Sequence, residues 1–259
     1  MKTVIKTAAL SIIALAAHQG AQAQDKFPEA PKMEPAMTEF WTPQPAIVTP
    51  GEPDKNAFIS APSDAIVLFD GKDLSAWQKD NGSPADWTVG KGYFEVAPQK
   101  GGIRTIREFE DFQLHIEWSA PLETEGKEGQ GRGNSGIFMQ GIYELQVLDS
   151  YGSKTYANGQ AGSIYKQTPP LVNAMRKPGE WNVYDVVFTA PRFKKDGSLQ
   201  SHARITVIHN GVLVQNNTLI LGDTPYTGLP KYKLHGSGPI SLQDHGDKVK
   251  FRNVWIREL

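Results

Sequence analysis

The chain has 259 residues, 27 basic and 28 acidic side chains, a formal net charge of -1 and no cysteine. That balance provides no excess positive field for nucleic acid or an anionic membrane, and the missing cysteine excludes disulfides, a thiol nucleophile and thiolate metal ligands. The length suits one large all-β domain or two smaller ones.

In chain order, a basic start (Lys2, Lys6), the apolar run AALSIIALAA and the small-residue stretch Ala21-Gln22-Ala23 have the pattern of a secretory signal over residues 1–23. The expected destination is periplasmic or secreted. The run falls well short of the roughly 20 residues that cross a bilayer, and no later segment approaches that length. Residues 24–63 are proline-rich and without period, an extended arm that is either a flexible tether or packed through Phe40, Trp41 and Phe58.

From residue 64 to 259 the pattern is of short alternating segments separated by turn residues, as in a sandwich or barrel. FQLHIEW (112–118) places Phe112, Leu114, Ile116 and Trp118 on one face and Gln113, His115 and Glu117 on the other. ARITVIHNGVLVQ (203–215) carries Asn210-Gly211 between two β-rich runs, which predicts a hairpin because both turn residues accept positive φ. VKFRNVWIREL reads as a closing strand. The expected fold is all-β: a jelly-roll sandwich of two antiparallel sheets.

Three stretches carry candidate chemistry. In GNSGIFMQGIYELQVLDSYG (133–152), Glu144 and Gln146 project to one face of a strand, about 6.6 to 6.8 Å apart. Asp149 points the other way unless a bulge at Val147 or Leu148 re-aims it. The row has the spacing of the acid-x-acid-x-x-acid row of laminarinase-type glycosidases, with Gln146 in place of the middle acid. A retaining glycosidase needs two carboxyl groups about 5 to 5.5 Å apart, and an amide is neither base nor anion; ordinary polarity on the wet face of a sheet is the alternative. The second stretch is Gln243-Asp244-His245-Gly246, where a carboxylate adjoins a histidine that titrates near working pH, although the same residues make a good turn. The third is the loop 159–174 with Tyr165, Lys166 and Asn173, proton donors or enolate-holding groups on one reading and solvated side chains on the other. His209 opens the hairpin turn and is structural; His235 either caps a loop or faces a cleft. No histidine spacing matches a compact zinc motif.

LFDGKDLSAW (68–77), the 133–152 stretch, GSIYKQTPPLVNA (162–174), PGEWNVYDVVFTAPRF (178–193), ARITVIHNGVLVQN (203–216) and GPISLQDHGDKVKFRNVWIREL (238–259) together resemble the 3-keto-disaccharide hydrolase family, also described as 3-keto-glucoside 1,2-lyases and 3-keto-2-hydroxyglucal hydratases. The resemblance spans about Ala65 to Leu259. It implies a concanavalin-like jelly roll acting on sugars oxidised at C3, and a functional link to an oxidoreductase that works at that carbon. A C3 ketone acidifies the C2 hydrogen, so the aglycone leaves by elimination and water addition completes a net hydrolysis; no carboxylate nucleophile is needed.

On that basis Glu144 or Asp149 is the base at C2, His245 with Asp244 the acid or water activator, and Tyr165, Lys166 or Gln146 the holder of the C3 oxygen. Asn134, Gln146, Gln243 and His235 are substrate-binding candidates. No nucleotide cofactor is expected; one divalent cation held through Asp149, Asp244 or His245 is an alternative source of polarisation. The competing readings are a conventional glucanase and a non-catalytic carbohydrate-binding module stacking sugars on Trp77, Trp87, Trp181 and Tyr151, against which stands the role of aromatics in filling a core.

Overall fold

The computed structural model describes residues 32–52, 60–124 and 126–259. Contacts divide the chain into Met1–Lys32 and Met33–Leu259, and every element below belongs to the second unit. The expected signal segment 1–23 and Phe58 lie outside the described residues. No helix among the described residues is long and apolar enough to cross a membrane.

The fold is an all-β sandwich. Its larger sheet runs Val212–Leu219, Arg204–His209, Asn182–Thr189, Phe112–Ser119, Lys250–Glu258, Phe94–Glu95 and Thr88–Val89, with Ile66–Phe69 also pairing onto Lys250–Glu258. The smaller sheet runs Trp77–Gln78, Ile103–Thr105, Ser241–Leu242, Ser135–Met139 and Tyr143–Val147. Every pairing in both sheets is antiparallel. Alternation along the strands sends one set of side chains between the layers: Phe112, Leu114, Ile116 and Trp118 from the central strand, and Ile137, Leu145 and Val147 from the smaller sheet, are fully buried. Each such side chain stabilises the fold by about 1.5–3 kcal/mol. The layers are also tied by a polar bond, the Tyr184 hydroxyl donating to the Gln146 carbonyl at 2.9 Å.

The Asn210-Gly211 turn forms as its sequence predicts, with φ of 53° and 81°, joining two strands in register at His209 and Val212. His209 is buried, stacked on Trp118, with Nε2 on Asn182 Oδ1 at 3.1 Å. The second face of FQLHIEW is covered rather than wet. His115 stacks on Trp255 with 5.0 Å between centroids and bonds Asp185 at 2.7 Å, while Glu117 takes Arg252 at 2.6 Å. Burial opposes the charge on both groups; the hydrogen bonds outweigh it, raising His115 to about 9 and lowering Glu117 to about 2.

The arm docks from Pro35 to Val48, by backbone and amide bonds more than by aromatic burial. Phe40 and Trp41 remain about half exposed, whereas the buried side chain of Asn158 accepts from the Phe40 N–H and donates to the Thr38 carbonyl, both at 2.9 Å. Ala46–Ile47 pairs in parallel with Val172–Asn173. Of the aromatics weighed between sugar platforms and core packing, Trp77 and Trp87 are core side chains, 2% and 4% exposed, with their indole N–H groups on the Leu68 and Gly101 carbonyls. Trp181 lies beneath the Arg252 guanidinium at 4.1 Å.

Asn158→Ala would leave two main-chain groups of the arm without partners, at about 1–3 kcal/mol each. It is expected to lower Tm by several degrees and to speed proteolysis within residues 33–48. An unchanged melting curve and cleavage rate would show that the arm is not held this way in solution.

Candidate active site

The site is built on the hairpin of Ser135–Met139 and Tyr143–Val147, in register at Phe138–Glu144 and Gly136–Gln146. Strand alternation turns Tyr143, Leu145 and Val147 to the core, so Glu144 and Gln146 share the opposite face. Tyr143–Val147 is the edge of its sheet, and an unprotected edge would expose a row of main-chain groups. The 159–168 loop covers it: Gln146 N–H donates to Ser163 O, Gly162 N–H to Gln146 O and Tyr165 N–H to Glu144 O, at 3.0–3.1 Å. The loop therefore carries Tyr165 alongside Glu144 while closing off solvent.

Glu144, Gln146, Asn134, Phe138, Tyr165, Thr224, Tyr226, Gln243 and His245 line a cavity of about 190 Å³. The Glu144 carboxyl accepts no hydrogen bond from any described residue, and the residue as a whole is 5% exposed; burial alone pushes the carboxyl up to about 8. It lies over the neighbouring strand at Gly136, where a Cβ would stand 2.5 Å from Glu144 Oε1. Gln146 gives its Nε2 to Gln130 Oε1 and Gly159 O, at 3.0 and 3.3 Å, which leaves its buried Oε1 unpartnered among the described residues. The buried Gln243 Oε1 is likewise unpartnered. Tyr165 shares a hydroxyl hydrogen bond with Tyr156 at 2.9 Å, and burial pushes its phenol up to about 12, so it stays protonated and able to donate. Asn134 is fixed through its N–H to Asp247 and its Nδ2 to Gln130 O. The cavity is lined by one ionisable carboxyl, two phenols, three amides and the exposed His245 imidazole.

Other expected residues lie elsewhere. The strand ends at Val147, and no bulge re-aims Asp149: it is fully buried, held by Arg132 Nε at 2.6 Å and the Tyr151 N–H at 3.1 Å. Asp244 adjoins His245 in sequence only, its oxygens accepting the Gly101 and Gly246 N–H groups. Lys166 does not line the cavity. Its ammonium donates to Pro35 O and Tyr226 O at 2.8 and 2.9 Å and lies 4.6 Å from the Tyr226 ring centre, so it bolts the arm to a cavity wall. Asn173 bridges Ser150 O and the Met175 N–H.

His235 lines a neighbouring cavity, with Tyr143. Gln146 has its Nε2 donors taken by Gln130 Oε1 and Gly159 O, which leaves none for a C3 oxygen; its role as a C3-oxygen holder is corrected on that ground. Among the described residues no three His, Asp or Glu side chains converge as a cation site requires. Asp149 and Asp244 spend their oxygens on protein donors, so the set Asp149, Asp244 and His245 does not fit a divalent cation. Sequence reasoning missed Phe138, Thr224 and Tyr226. The last two sit about 80 residues beyond Glu144, in a loop without periodicity, and only the fold brings them near.

A protein of Bacteroides thetaiotaomicron named 3-keto-disaccharide hydrolase is 27% identical over 237 residues, covering 75% of this chain and 78% of its own length. A crystal structure of a candidate glycosyl hydrolase from Parabacteroides distasonis is 59% identical, with a TM-score of 0.77, covering 86% of this chain and 95% of that one. A second candidate glycosyl hydrolase from the same organism, 24% identical with a TM-score of 0.55 over 76% of this chain and 94% of that one, shares the fold. Residues 64–257 match the model of the 3-keto-alpha-glucoside-1,2-lyase-like domain, and the chain belongs to that family.

Proposed function

We propose that this protein cleaves the glycosidic bond of sugars bearing a ketone at C3, by elimination followed by water addition. The observation that carries the reading is Glu144: the cavity's one carboxyl, buried, without a hydrogen-bond partner among the described residues, and raised to about 8. Displacement at C1 requires a second carboxyl close by, and Gln146 stands in that position. Elimination requires one base whose pKa lies near the working pH.

Glu144 takes the C2 proton, and the electron pair moves onto the C3 oxygen as an enolate, to which Tyr165 donates a hydrogen bond. Re-formation of the carbonyl expels the aglycone from C1, the leaving oxygen receiving a proton from His245. Water added at C1 of the resulting enone then gives the free 3-keto sugar. Gln146, Gln243 and Asn134 orient hydroxyls. The family membership and the name of the Bacteroides relative support a carbohydrate substrate of this class.

Purified protein is expected to release aglycone from 3-keto-glucosides, with a transient or accumulating ultraviolet enone band, and to leave plain glucosides intact. Turnover of plain glucosides without an oxidant would overturn the proposal. Glu144→Gln is expected to lower kcat by about 10²- to 10⁴-fold.

The same substitution has a signed effect on stability. The folded chain keeps a proton on Glu144 that the unfolded chain releases between about pH 4.5 and 8. The penalty is therefore absent below about pH 4.5 and complete above about pH 8, on the order of 3–5 kcal/mol. Glu144→Gln should raise Tm by several degrees at pH 8.5 and hardly at pH 4; equal shifts at both would contradict a raised pKa.

Gly136→Ala tests the positioning of the base, since the new methyl group displaces the carboxyl toward water. The pH midpoint of kcat/KM, expected near 8 and rising with pH in the wild type, should move down by a unit or more. A loss of rate with an unmoved midpoint would assign Gly136 a purely structural role.

A further inference from the structure

Tyr165 lines the cavity, and its hydroxyl shares a hydrogen bond at 2.9 Å with that of Tyr156, which does not border the cavity. Tyr156 is buried. Its ring lies against Gly159, where a Cβ would stand 2.1 Å from Tyr156 Cε2, and the Trp41 indole of the arm meets it edge-on with 6.0 Å between centroids. The next residue, Ala157, donates its N–H to the Phe40 carbonyl at 2.6 Å. Behind both rings stands the Lys166 ammonium, 5.5 Å from the centre of Tyr156 and 6.0 Å from that of Tyr165. Filling this space alone would need only a phenylalanine.

Two hydroxyls joined by one hydrogen bond hold two protons, one inside the bond and one outside it. If Tyr165 donated, the Tyr156 proton would be left in the interior with no acceptor among the described residues, at the full desolvation cost of an unmade bond. If Tyr156 donates, its proton is satisfied, and the proton outside the bond belongs to Tyr165, which borders the cavity. We propose that Tyr156 is a positioning residue: it donates to the Tyr165 hydroxyl, turns the Tyr165 proton toward the substrate's C3 oxygen, and strengthens that donor as the enolate forms. The inference rests on the elimination reading above. In a chain of two phenols each bond polarises the next, so Tyr156 acts on the enolate without touching it.

The test measures kcat and KM on methyl 3-keto-glucoside for wild type, Tyr156→Phe, Tyr165→Phe and the double variant, with Tm as the check on folding. Tyr156→Phe is expected to lower kcat about tenfold and to leave KM within about twofold. Made in the Tyr165→Phe background, the same change is expected to alter kcat by less than about twofold. Tyr156→Met also removes the hydroxyl while filling the space, and is read in the same way should the phenylalanine variant fail to fold. An equal loss in both backgrounds overturns the inference, because a merely structural role is blind to the Tyr165 hydroxyl. Undiminished kcat in Tyr165→Phe overturns the donor role of that phenol and the role of Tyr156 with it, and leaves proton removal by Glu144 standing. A wild type inert toward 3-keto-glucosides overturns the elimination reading itself.

Discussion

A carboxyl group held out of water without hydrogen bonds is among the costlier things a fold can contain, and the site depends on the close approach that permits it. Glu144 lies across its partner strand where Gly136 has no side chain, the 159–168 loop closes the sheet edge beside it, and Thr224 satisfies its main-chain N–H. None of these contacts reaches the carboxyl itself. The surroundings bury the group at a cavity wall while supplying no hydrogen bond to stabilise its charge, and burial alone shifts its pKa.

The contrast with the other buried charges is instructive. On the outer face of the larger sheet, His115, Glu117, Asp185 and Arg252 are interlocked at 2.6–2.7 Å, and there hydrogen bonding outweighs desolvation. Asp149 is buried as deeply as Glu144 but is held by Arg132. Those groups have their valences filled and can be read as structural. Glu144 is the acid on the same hairpin left with an unsatisfied carboxyl, which is the signature of a group kept for a ligand.

Much of this was legible in the sequence. Period-two alternation located the central strand, Asn210-Gly211 specified a turn whose positive φ few other residues accept, and the i, i+2 spacing put Glu144 and Gln146 on one face. The limits have physical causes. Parity indicated that Asp149 points away from Glu144, but its Arg132 partner lies 17 positions back and answers to no local rule. Asp244 and His245 look like a dyad in sequence, yet the carboxylate is drawn to two N–H groups of turning backbone. Lys166 reads in the sequence as a proton donor, an enolate-holding group or a solvated side chain, and its ammonium instead binds carbonyls 131 and 60 positions away. Long-range hydrogen bonds, invisible to periodicity, sort the polar residues that share a strand or loop into those that hold the fold and those left facing the cavity.

That sorting bears on why an amide in the second position is compatible with catalysis. A second carboxylate beside Glu144 would add like-charge repulsion and raise the first pKa further, which is useful when one of the pair must remain a proton donor. Gln146 avoids that coupling: its Nε2 is anchored by two acceptors, and its buried Oε1, like that of Gln243, has no partner among the described residues. An amide adds no charge to the cavity, so Glu144 titrates without a neighbouring carboxylate. For removal of a proton beside a ketone the demand is one base with an independent pKa near neutrality and one protonated donor opposite the carbonyl. On the elimination proposed above, Glu144 at about 8 would be that base and Tyr165 at about 12 that donor at the same pH, and the missing acid would leave a single base free to ionise next to a phenol that does not.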